Sequence, residues 1–376
     1  MKLKERIFSA EEVNTTRQWE FDLARAVIIL CLAVVHVTIE CTSDEGLCYG
    51  IPYLFDTIIG GPFGAPMFMF VMGVGMAYTR RNSWKDHFIR GARLFGLAYI
   101  LNICRFLIPY LIGYAVTGDY EYYMEQLLYK VLGNDIFTFA GLGMMILALF
   151  IKLKLSYVVM ILIALAMCAF GTVLNGVDAG SPLANIFLGY LIGTEDAAGL
   201  VHSYFPVLNW MMFPVCGYSF AHMLKRVKNK DLFYTVFSVP AMLIAVAYFT
   251  YGIIHEVGMF GEGQNCYYHM IFTDVLASLC MTVGMFGVYY AILKVFHGKL
   301  FYLAWSMSEN ITVIYFIHWV LVSFAVNVVL YIIRGTTLLP VWQVLVLGTV
   351  LEIASIVIAH YYTKWRGRCR VNAKKA

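Results

Sequence analysis

The chain has 376 residues, of which 61% are hydrophobic and only 13% are charged. Soluble domains carry roughly 45–50% apolar and about 25% charged residues, so this composition excludes an ordinary soluble protein and indicates a polytopic membrane protein. The net charge is only +4, and we expect the lipid bilayer, and no nucleic acid, among the partners of the chain.

Apolar segments long enough to cross a bilayer recur along the whole chain. Hydropathy predicts ten of them, near residues 21–39, 58–79, 94–116, 135–151, 155–174, 204–224, 232–254, 269–293, 308–333 and 340–363. We therefore predict an all-α integral membrane protein, in which a single bundle of about ten transmembrane helices forms one domain over residues 1–376.

The basic residues favour one orientation of this bundle. If the N-terminus is cytoplasmic, 23 of the 27 lysine and arginine residues lie in inner segments. The positive-inside rule then predicts that both termini are cytoplasmic, with an N-terminal segment at 1–20 and a basic tail at 364–376. No cleavable signal peptide is expected, because the polar first segment runs straight into a span. The outer segments lack Asn-x-Ser/Thr sites, which favours a bacterial plasma (inner) membrane over a glycosylated compartment.

The predicted outer segments are acidic and rich in tyrosine. The segment 118–135 alone contains Tyr120, Tyr122, Tyr123 and Tyr129. Aromatic rings form belts at membrane interfaces, and they also form platforms on which a sugar ring stacks. The sequence leaves both interpretations open.

The first span carries a polar pattern of its own. The step from Arg25 to His36 makes about three turns at roughly 100° per residue, so Asp22, Arg25, His36 and Glu40 share one face of an otherwise apolar helix. Ionisable groups cost roughly 2.5 kcal/mol or more each at the centre of a membrane helix, so this face is predicted to line a cavity or to contact a partner. The alternative is a structural Asp22–Arg25 pair and one histidine satisfied inside the bundle.

Further ionisable groups lie within later spans. Asp274 is predicted at a depth similar to that of His36, which makes it a candidate to orient the imidazole. His318 competes with His36 for the role of the residue that takes up a proton. Arg105 and Glu352 are open to interpretation as one structural ion pair. As an alternative function, His36, Asp274 and His318 would relay protons in a secondary transporter.

The nine cysteines do not form a disulfide framework. Cys41 and Cys48 share the first outer loop, and the sequence leaves open whether they are joined. The spacing of His and Cys residues does not match a metal site, and no metal is expected.

Five short segments resemble those of transmembrane acyltransferases. The pattern of Asp22, Arg25 and His36 in the first span is shared by the acyltransferase-3 family of carbohydrate O-acyltransferases and by the heparan-alpha-glucosaminide N-acetyltransferase-like family. The second family fits better along the chain, which resembles it in four further segments: Ala65–Gly75, Ile136–Gly143, Tyr204–Trp210 followed by Pro214 and Gly217, and Ile314–Trp319. Ala26 and Asn209 depart from the family pattern.

The resemblance implies a membrane enzyme that moves an acetyl or other short acyl group from cytoplasmic acetyl-CoA to an extracytoplasmic acceptor, a sugar amine or hydroxyl. His36 is then the predicted general base, with Asp274 and His318 as further catalytic candidates. The candidate donor- and substrate-binding residues are Asp22, Arg25, Arg80, Arg81, Arg93, Trp210 and Trp319. The basic residues would hold CoA phosphates by charge-assisted hydrogen bonds, and topogenic charge is the alternative. The acceptor, a direct or acetyl-histidine mechanism, and a homodimer are left open.

Overall fold

The structure is a computed structural model that describes residues 3–197, 199–261, 267–296 and 299–373. Residues 1–2 of the predicted N-terminal segment and 374–376 of the predicted tail lie outside these ranges. The α-helices, in chain order, are α1 (Leu3–Ile7), α2 (Trp19–Cys41), α3 (Asp44–Leu47), α4 (Gly50–Tyr53), α5 (Ala65–Tyr78), α6 (Trp84–Asn102), α7 (Ile108–Thr117), α8 (Tyr120–Tyr123), α9 (Leu127–Leu132), α10 (Ile136–Lys152), α11 (Tyr157–Val173), α12 (Pro182–Gly189), α13 (Val207–Trp210), α14 (Met212–Leu224), α15 (Lys230–His255), α16 (Phe272–Val295), α17 (Lys299–Ser323), α18 (Tyr331–Arg334) and α19 (Val341–Ala373). Three π-helical segments, Leu54–Ile59, Ile103–Leu107 and Phe324–Leu330, and one 3₁₀ turn, Gly258–Phe260, interrupt or follow them.

Seven helical segments of the described residues are long and apolar enough to cross a membrane, which confirms an all-α membrane protein. They are Trp19–Cys41, Trp84–Thr117, Tyr120–Lys152, Lys230–Phe260, Phe272–Val295, Ala304–Arg334 and Val341–Gly367. The predicted spans near 58–79, 155–174 and 204–224 correspond to the shorter helices α5, α11 and α14. The 14 residues of α5 rise only about 21 Å, less than the ~30 Å of a hydrocarbon core. The predicted count of ten spans is therefore not confirmed.

The chain divides into two compact units, each built from separated stretches of sequence. The first unit contains residues 1–18, 62–102 and 128–291, and the second contains residues 19–61, 103–127 and 292–376.

In the first unit, α5 packs against α14 with their backbones in contact. A methyl group added to Gly73 would lie 2.0 Å from the carbonyl oxygen of Pro214, and one added to Gly217 would lie 2.0 Å from that of Phe70. Only glycine fits at either position, because any larger side chain would overlap the facing backbone. Small residues of this kind let membrane helices approach closely. This contact gives a physical reason for the glycines in two of the segments that resemble the acetyltransferase family.

The N-terminal segment also belongs to the first unit, where it is held by the turn that follows α14. Phe8 and Val227 form an isolated antiparallel bridge, and the Ser9 amide donates to the Arg226 carbonyl at 2.8 Å. The Asn14 side-chain amide donates to the carbonyl oxygens of Leu224 and Val227. These hydrogen bonds fix a segment that is too short and too polar to pack by itself.

In the second unit, α2 packs against both α17 and α19. Its C-terminal half contributes Ala33, Val37 and Cys41 to a core that also contains Val322, Val326 and Val344. The apolar side of α2 is therefore buried between two spans that lie far away in the sequence. Cys41 is a free buried thiol and Cys48 a free exposed one.

Candidate active site

The polar face of α2 begins with a buried cluster at its N-terminal end. The Ser308 hydroxyl on α17 donates to Asp22 Oδ1 at 2.6 Å, and Arg25 Nη1 donates to the Ser308 Oγ at 3.2 Å. Arg25 Nη1 also lies 3.7 Å from Asp22 Oδ1. Asp22 is 2% exposed, so its charge is compensated by these contacts. The predicted Asp22–Arg25 pair is thus present, and it links α2 to α17.

Three turns further along α2, the rings of His36, His318 and Trp319 form what we call the histidine cluster. The His36 and His318 rings are stacked, with centroids 5.2 Å apart and an interplanar angle of 28°. The His36 and Trp319 centroids are 4.0 Å apart. The Trp319 Nε1–H donates to the Tyr315 hydroxyl at 2.9 Å, which fixes the indole on α17. The structure therefore brings His36 of α2 together with two neighbouring predicted site residues of α17 that lie far away in the sequence.

The two histidines differ in exposure. His36 is partly accessible, whereas His318 is completely buried at 0% exposed. Neither ring nitrogen of His318 has a well-formed hydrogen bond among the described residues, although the carbonyls of Ile314 and Tyr315 one turn earlier approach the ring. Of the two stacked rings, only that of His36 is therefore partly accessible, and His318 is buried against it.

Arg105, on the π-helical segment Ile103–Leu107, is adjacent to the histidine cluster. Its guanidinium carbon lies 4.7 Å from the centre of the Trp319 ring and 4.6 Å from that of Phe106. The Ser323 hydroxyl at the end of α17 donates to the Arg105 backbone carbonyl. Arg105 is 5% exposed, and cation–π contacts of this kind stabilise a desolvated charge. The sequence left a structural ion pair open for Arg105 and did not predict this contact, although a charge inside a span was the available signal.

Glu352 does not contribute to a pair with Arg105. Its Oε2 accepts the backbone N–H of Ala33 at 2.6 Å, and its Oε1 has no partner among the described residues. Glu352 is 4% exposed. Ala33 lies one turn before His36, so this carboxyl on α19 binds the segment of α2 that carries the candidate base. Hydropathy and charge pairing gave no indication of this contact.

The tyrosines of the predicted outer segment pack against one another in the second unit. The Tyr122 ring stacks on Tyr331 with centroids 3.6 Å apart, and the Tyr122 and Tyr123 hydroxyls donate to the side chain and the carbonyl of Asn327 at 2.8 and 2.7 Å. The Tyr331 hydroxyl donates to Asp119 at 2.6 Å. These mutual contacts explain how Tyr122, Tyr123 and Tyr331 pack without a bound sugar. The platform on which a sugar ring would stack remains a prediction.

Asp274 lies in the first unit and has partners of its own there. Its Oδ1 accepts the Tyr248 hydroxyl at 2.9 Å and its Oδ2 accepts the Ile271 N–H at 3.3 Å. A methyl group at Gly258 would lie 2.5 Å from Oδ1, and Gly258 has φ +65°, a conformation that favours glycine. Asp274 therefore fastens the turn around Gly258 to the start of α16. Its predicted pairing with His36, which is in the second unit, remains a prediction.

The other candidates of the first unit divide into buried and exposed residues. Trp210 is fully buried at 0% exposed, and its Nε1–H donates to the Tyr268 carbonyl at 2.6 Å. Arg80, Arg81 and Arg93 are exposed. Exposed guanidinium groups fit a role in phosphate binding, whereas the contacts of Trp210 are those of a core residue. The described residues contain no group of three or more metal-ligating side chains.

Comparison with known protein families gives one match. The family of heparan-alpha-glucosaminide N-acetyltransferase, catalytic, matches residues 17–257. The chain belongs to this family. Membership implies an acetyltransferase, and the apolar helices make it a membrane protein. The match includes Asp22, Arg25, His36 and Arg105 and ends before Asp274, His318 and Trp319. No curated protein and no solved structure matches the chain.

Proposed function

We propose that the protein is a membrane acetyltransferase that moves an acetyl group from cytoplasmic acetyl-CoA to a carbohydrate amine or hydroxyl on the other side of the membrane. Family membership supports the reaction class. The observation that carries the site is the stack of His36 on His318 and Trp319, in which His36 is partly accessible and His318 is fully buried. Family membership favours this function over the proton-coupled transporter that the same histidines would permit.

In this proposal His36 is the general base. The acceptor attacks the thioester carbonyl carbon while the accessible imidazole takes its proton, a task that contributes about 10²–10⁴-fold to rate. His318 stacks against His36 and can share that proton, and Trp319 restricts the position of the His36 ring. His318 and Arg105 are buried beside His36, and in this proposal their desolvated surroundings limit the water that would otherwise compete with the acceptor for the acetyl group.

On the donor side, we propose that Arg80, Arg81 and Arg93 bind CoA phosphates, because their guanidinium groups are exposed. Arg25 differs from them, since its contacts with Asp22 and Ser308 already engage part of its guanidinium. Charge-neutral glutamine variants at Arg80, Arg81 and Arg93 are expected to raise KM for acetyl-CoA more than they lower kcat. An unchanged KM in all three variants would mean that these arginines serve only as topogenic charges.

We also propose that both termini are cytoplasmic, in a bacterial plasma membrane, because 23 of the 27 basic residues then fall inside. Tyr120 is 63% exposed at the predicted outer side, and Asn229 precedes α15 at the predicted inner side. In intact cells a cysteine at position 120 should react with an impermeant maleimide and one at position 229 should not. The reverse pattern would overturn the orientation.

The function is tested by thermal unfolding and by transfer of labelled acetyl groups. Acetyl-CoA at 100 times its Kd should stabilise the purified full chain by about 2.7 kcal/mol, and a mixture of glycan acceptors should become acetylated. Dephospho-CoA is the matched control, since it lacks one phosphate that the arginines would bind. Absence of both stabilisation and transfer would exclude the proposal.

A further inference from the structure

The histidine cluster supplies a base, but acyl transfer also generates a negative charge that must be stabilised. When the acceptor adds to a thioester carbonyl, the carbonyl oxygen becomes an oxyanion. Donors aimed at this oxygen commonly make the largest single contribution to catalysis, and loss of one donor costs about 10²–10³-fold in kcat. Arg105 is the cation that contacts the histidine cluster through Trp319.

We propose, on the basis of the function proposed above, that Arg105 is a further catalytic residue whose guanidinium hydrogen-bonds the thioester carbonyl oxygen as it becomes an oxyanion. Four observations carry this assignment: its contact with Trp319, the contact of Trp319 with His36, its burial, and the π-helical segment that holds it.

The distances allow a reacting group between base and cation. Trp319 lies 4.0 Å from the His36 ring and 4.7 Å from the Arg105 guanidinium carbon, so these two groups are no more than about 9 Å apart. An acceptor atom, a carbonyl carbon and its oxygen, with hydrogen bonds of roughly 2.8 Å at each end, span a similar length. The proposal that base and donor act on opposite ends of the same reacting group requires a separation close to this upper limit.

The surroundings of Arg105 make its charge effective. It is 5% exposed, and a charge interacts far more strongly in a desolvated site than in water. The backbone of Arg105 is fixed by Ser323, whose hydroxyl also accepts a hydrogen bond from Asn327 Nδ2 at 3.2 Å. The π-helical turn adds one residue to the helix and changes the direction of the side chains within it, a feature frequent at functional sites. The cation is thus preorganised before the substrate arrives.

The reaction step balances without another reactant. The acceptor atom forms a bond to the carbonyl carbon, its proton goes to His36, and the carbonyl π electrons move to the oxygen that faces Arg105. The oxyanion then re-forms the carbonyl and the carbon–sulfur bond breaks. The CoA thiolate leaves and receives the proton from the His36 imidazolium. The products are the acetylated acceptor and CoA with a free thiol.

Arg105→Gln and Arg105→Lys test the assignment in the purified full chain, with Arg334→Gln as the matched control. Arg334 is exposed, and its Nη1 donates to Gln343 Oε1 at 3.4 Å. We expect Arg105→Gln to lower kcat by about 10²–10³-fold while KM for acetyl-CoA changes less than threefold. Arg105→Lys, which keeps a charge without the planar donor pair, should recover at least tenfold of that loss. Arg334→Gln should match the wild type.

A merely structural role gives a different result. If Arg105 only supported Trp319, kcat would follow the melting temperature, and lysine would be no better than glutamine. That result, or a folded Arg105→Gln enzyme with kcat within threefold of the wild type, would overturn the proposal. If the glutamine variant does not fold, Arg105→Lys decides, with a kcat 3–30-fold below wild type expected and an unchanged kcat contradicting it. Wild type and His36→Ala are assayed alongside, so that an inactive wild type identifies a failure of the proposed function instead.

Discussion

Asp274 in the first unit and Glu352 in the second are both buried carboxyl groups on candidate spans, yet their surroundings differ. Both oxygens of Asp274 have partners, in the Tyr248 hydroxyl and the Ile271 N–H. Glu352 has one partner, the Ala33 N–H, and one oxygen without any among the described residues. Buried polar groups normally have hydrogen-bond partners, so the contacts of Asp274 are those of a structural residue. Glu352, in contrast, has an oxygen that could accept a further hydrogen bond close to the candidate base. Two acids that are alike in sequence thus have different roles.

The variants with the largest expected effect test whether the catalytic residues lie in the second unit. His36→Ala should lower kcat by about 10²–10⁴-fold while stabilisation by acetyl-CoA persists. His318→Ala, which removes a fully buried ring, should lower both stability and kcat, the latter by less than His36→Ala. Steady-state kinetics and melting curves check both variants. If His36→Ala kept more than a tenth of wild-type turnover and His318→Ala did not, the wrong histidine would have been named.

Within this comparison, Glu352 is expected to show a smaller effect on activity than the His36 and Arg105 variants, with an opposite effect on stability. Glu352→Leu removes a buried carboxyl with an unpartnered oxygen, so the free energy of unfolding should rise by about 1–2 kcal/mol. Turnover should fall roughly tenfold, because the turn of α2 before His36 loses its contact with α19. Such trade-offs are common where function retains a destabilising group.

The control for Glu352→Leu is Glu352→Gln, whose amide oxygen still accepts the Ala33 N–H. Denaturation and initial-rate measurements should show near wild-type values for the glutamine variant. A leucine variant that is both less stable and fully active would place Glu352 with Asp274 in the scaffold.

Asp274→Asn is expected to affect stability more than activity. The amide presents an N–H at one of two oxygens that now both accept hydrogen bonds, so the free energy of unfolding should fall by about 1–3 kcal/mol, with kcat within threefold of the wild type below the melting temperature. Tyr248→Phe, which deletes only one of the donors to Asp274, should lose less. A hundredfold drop in kcat at an unchanged melting temperature would instead establish the orienting role that the sequence predicted.

The smallest effect is a pH dependence of the first unit. Burial lowers the pKa of His269, which is 5% exposed and whose Nε2 lies 2.9 Å from the Ser203 carbonyl. The unfolded state binds a proton at His269 more readily than the folded state does. The stabilisation of the folded protein by neutral His269 is therefore complete at pH values above the unfolded pKa of about 6.5. As the pH falls below this value, the free energy of unfolding decreases by at most about 1.4 kcal/mol per pH unit.

Urea melts at pH 8.0 and 5.5 check this pH dependence. His269→Gln should reduce it, and His255→Gln, at an exposed position, should leave it unchanged. Half-buried His202, whose pKa is also lowered by burial, should contribute a smaller share. An identical pH dependence in the wild type and His269→Gln would contradict the assignment.

Much of the fold follows from the sequence, because crossing a bilayer requires long apolar segments. The seven long spans, the Asp22–Arg25 pair and the family could be predicted on that basis and from short motifs. Which spans pack together could not, since hydropathy contains no pairing information. The contact of Glu352 with Ala33 and the approach of Arg105 to Trp319 therefore had no signal beyond a charge inside a span.

The π-helical segments explain part of what was missed. Each contains one residue more than an α-helix of the same hydrogen-bonded length, which rotates the following side chains relative to a regular helix. The segment Phe324–Leu330 sets the direction of Asn327, and Ile103–Leu107 that of Arg105. Patterns based on 3.6 residues per turn cannot represent either position.

The docked N-terminal segment has a consequence for the order in which the protein is made. Asn14 and its partner Val227 are 213 residues apart, and ribosomes add roughly 5–20 residues per second. The segment therefore waits on the order of 10–40 s in the cell before its binding site exists. During this interval its hydrogen-bonding groups are open to chaperones, to the insertion machinery and to proteases. The earliest-synthesised part of the first unit thus docks only after most of the unit has been made, so a bulky fusion upstream of Leu3 would interfere with a late step of assembly.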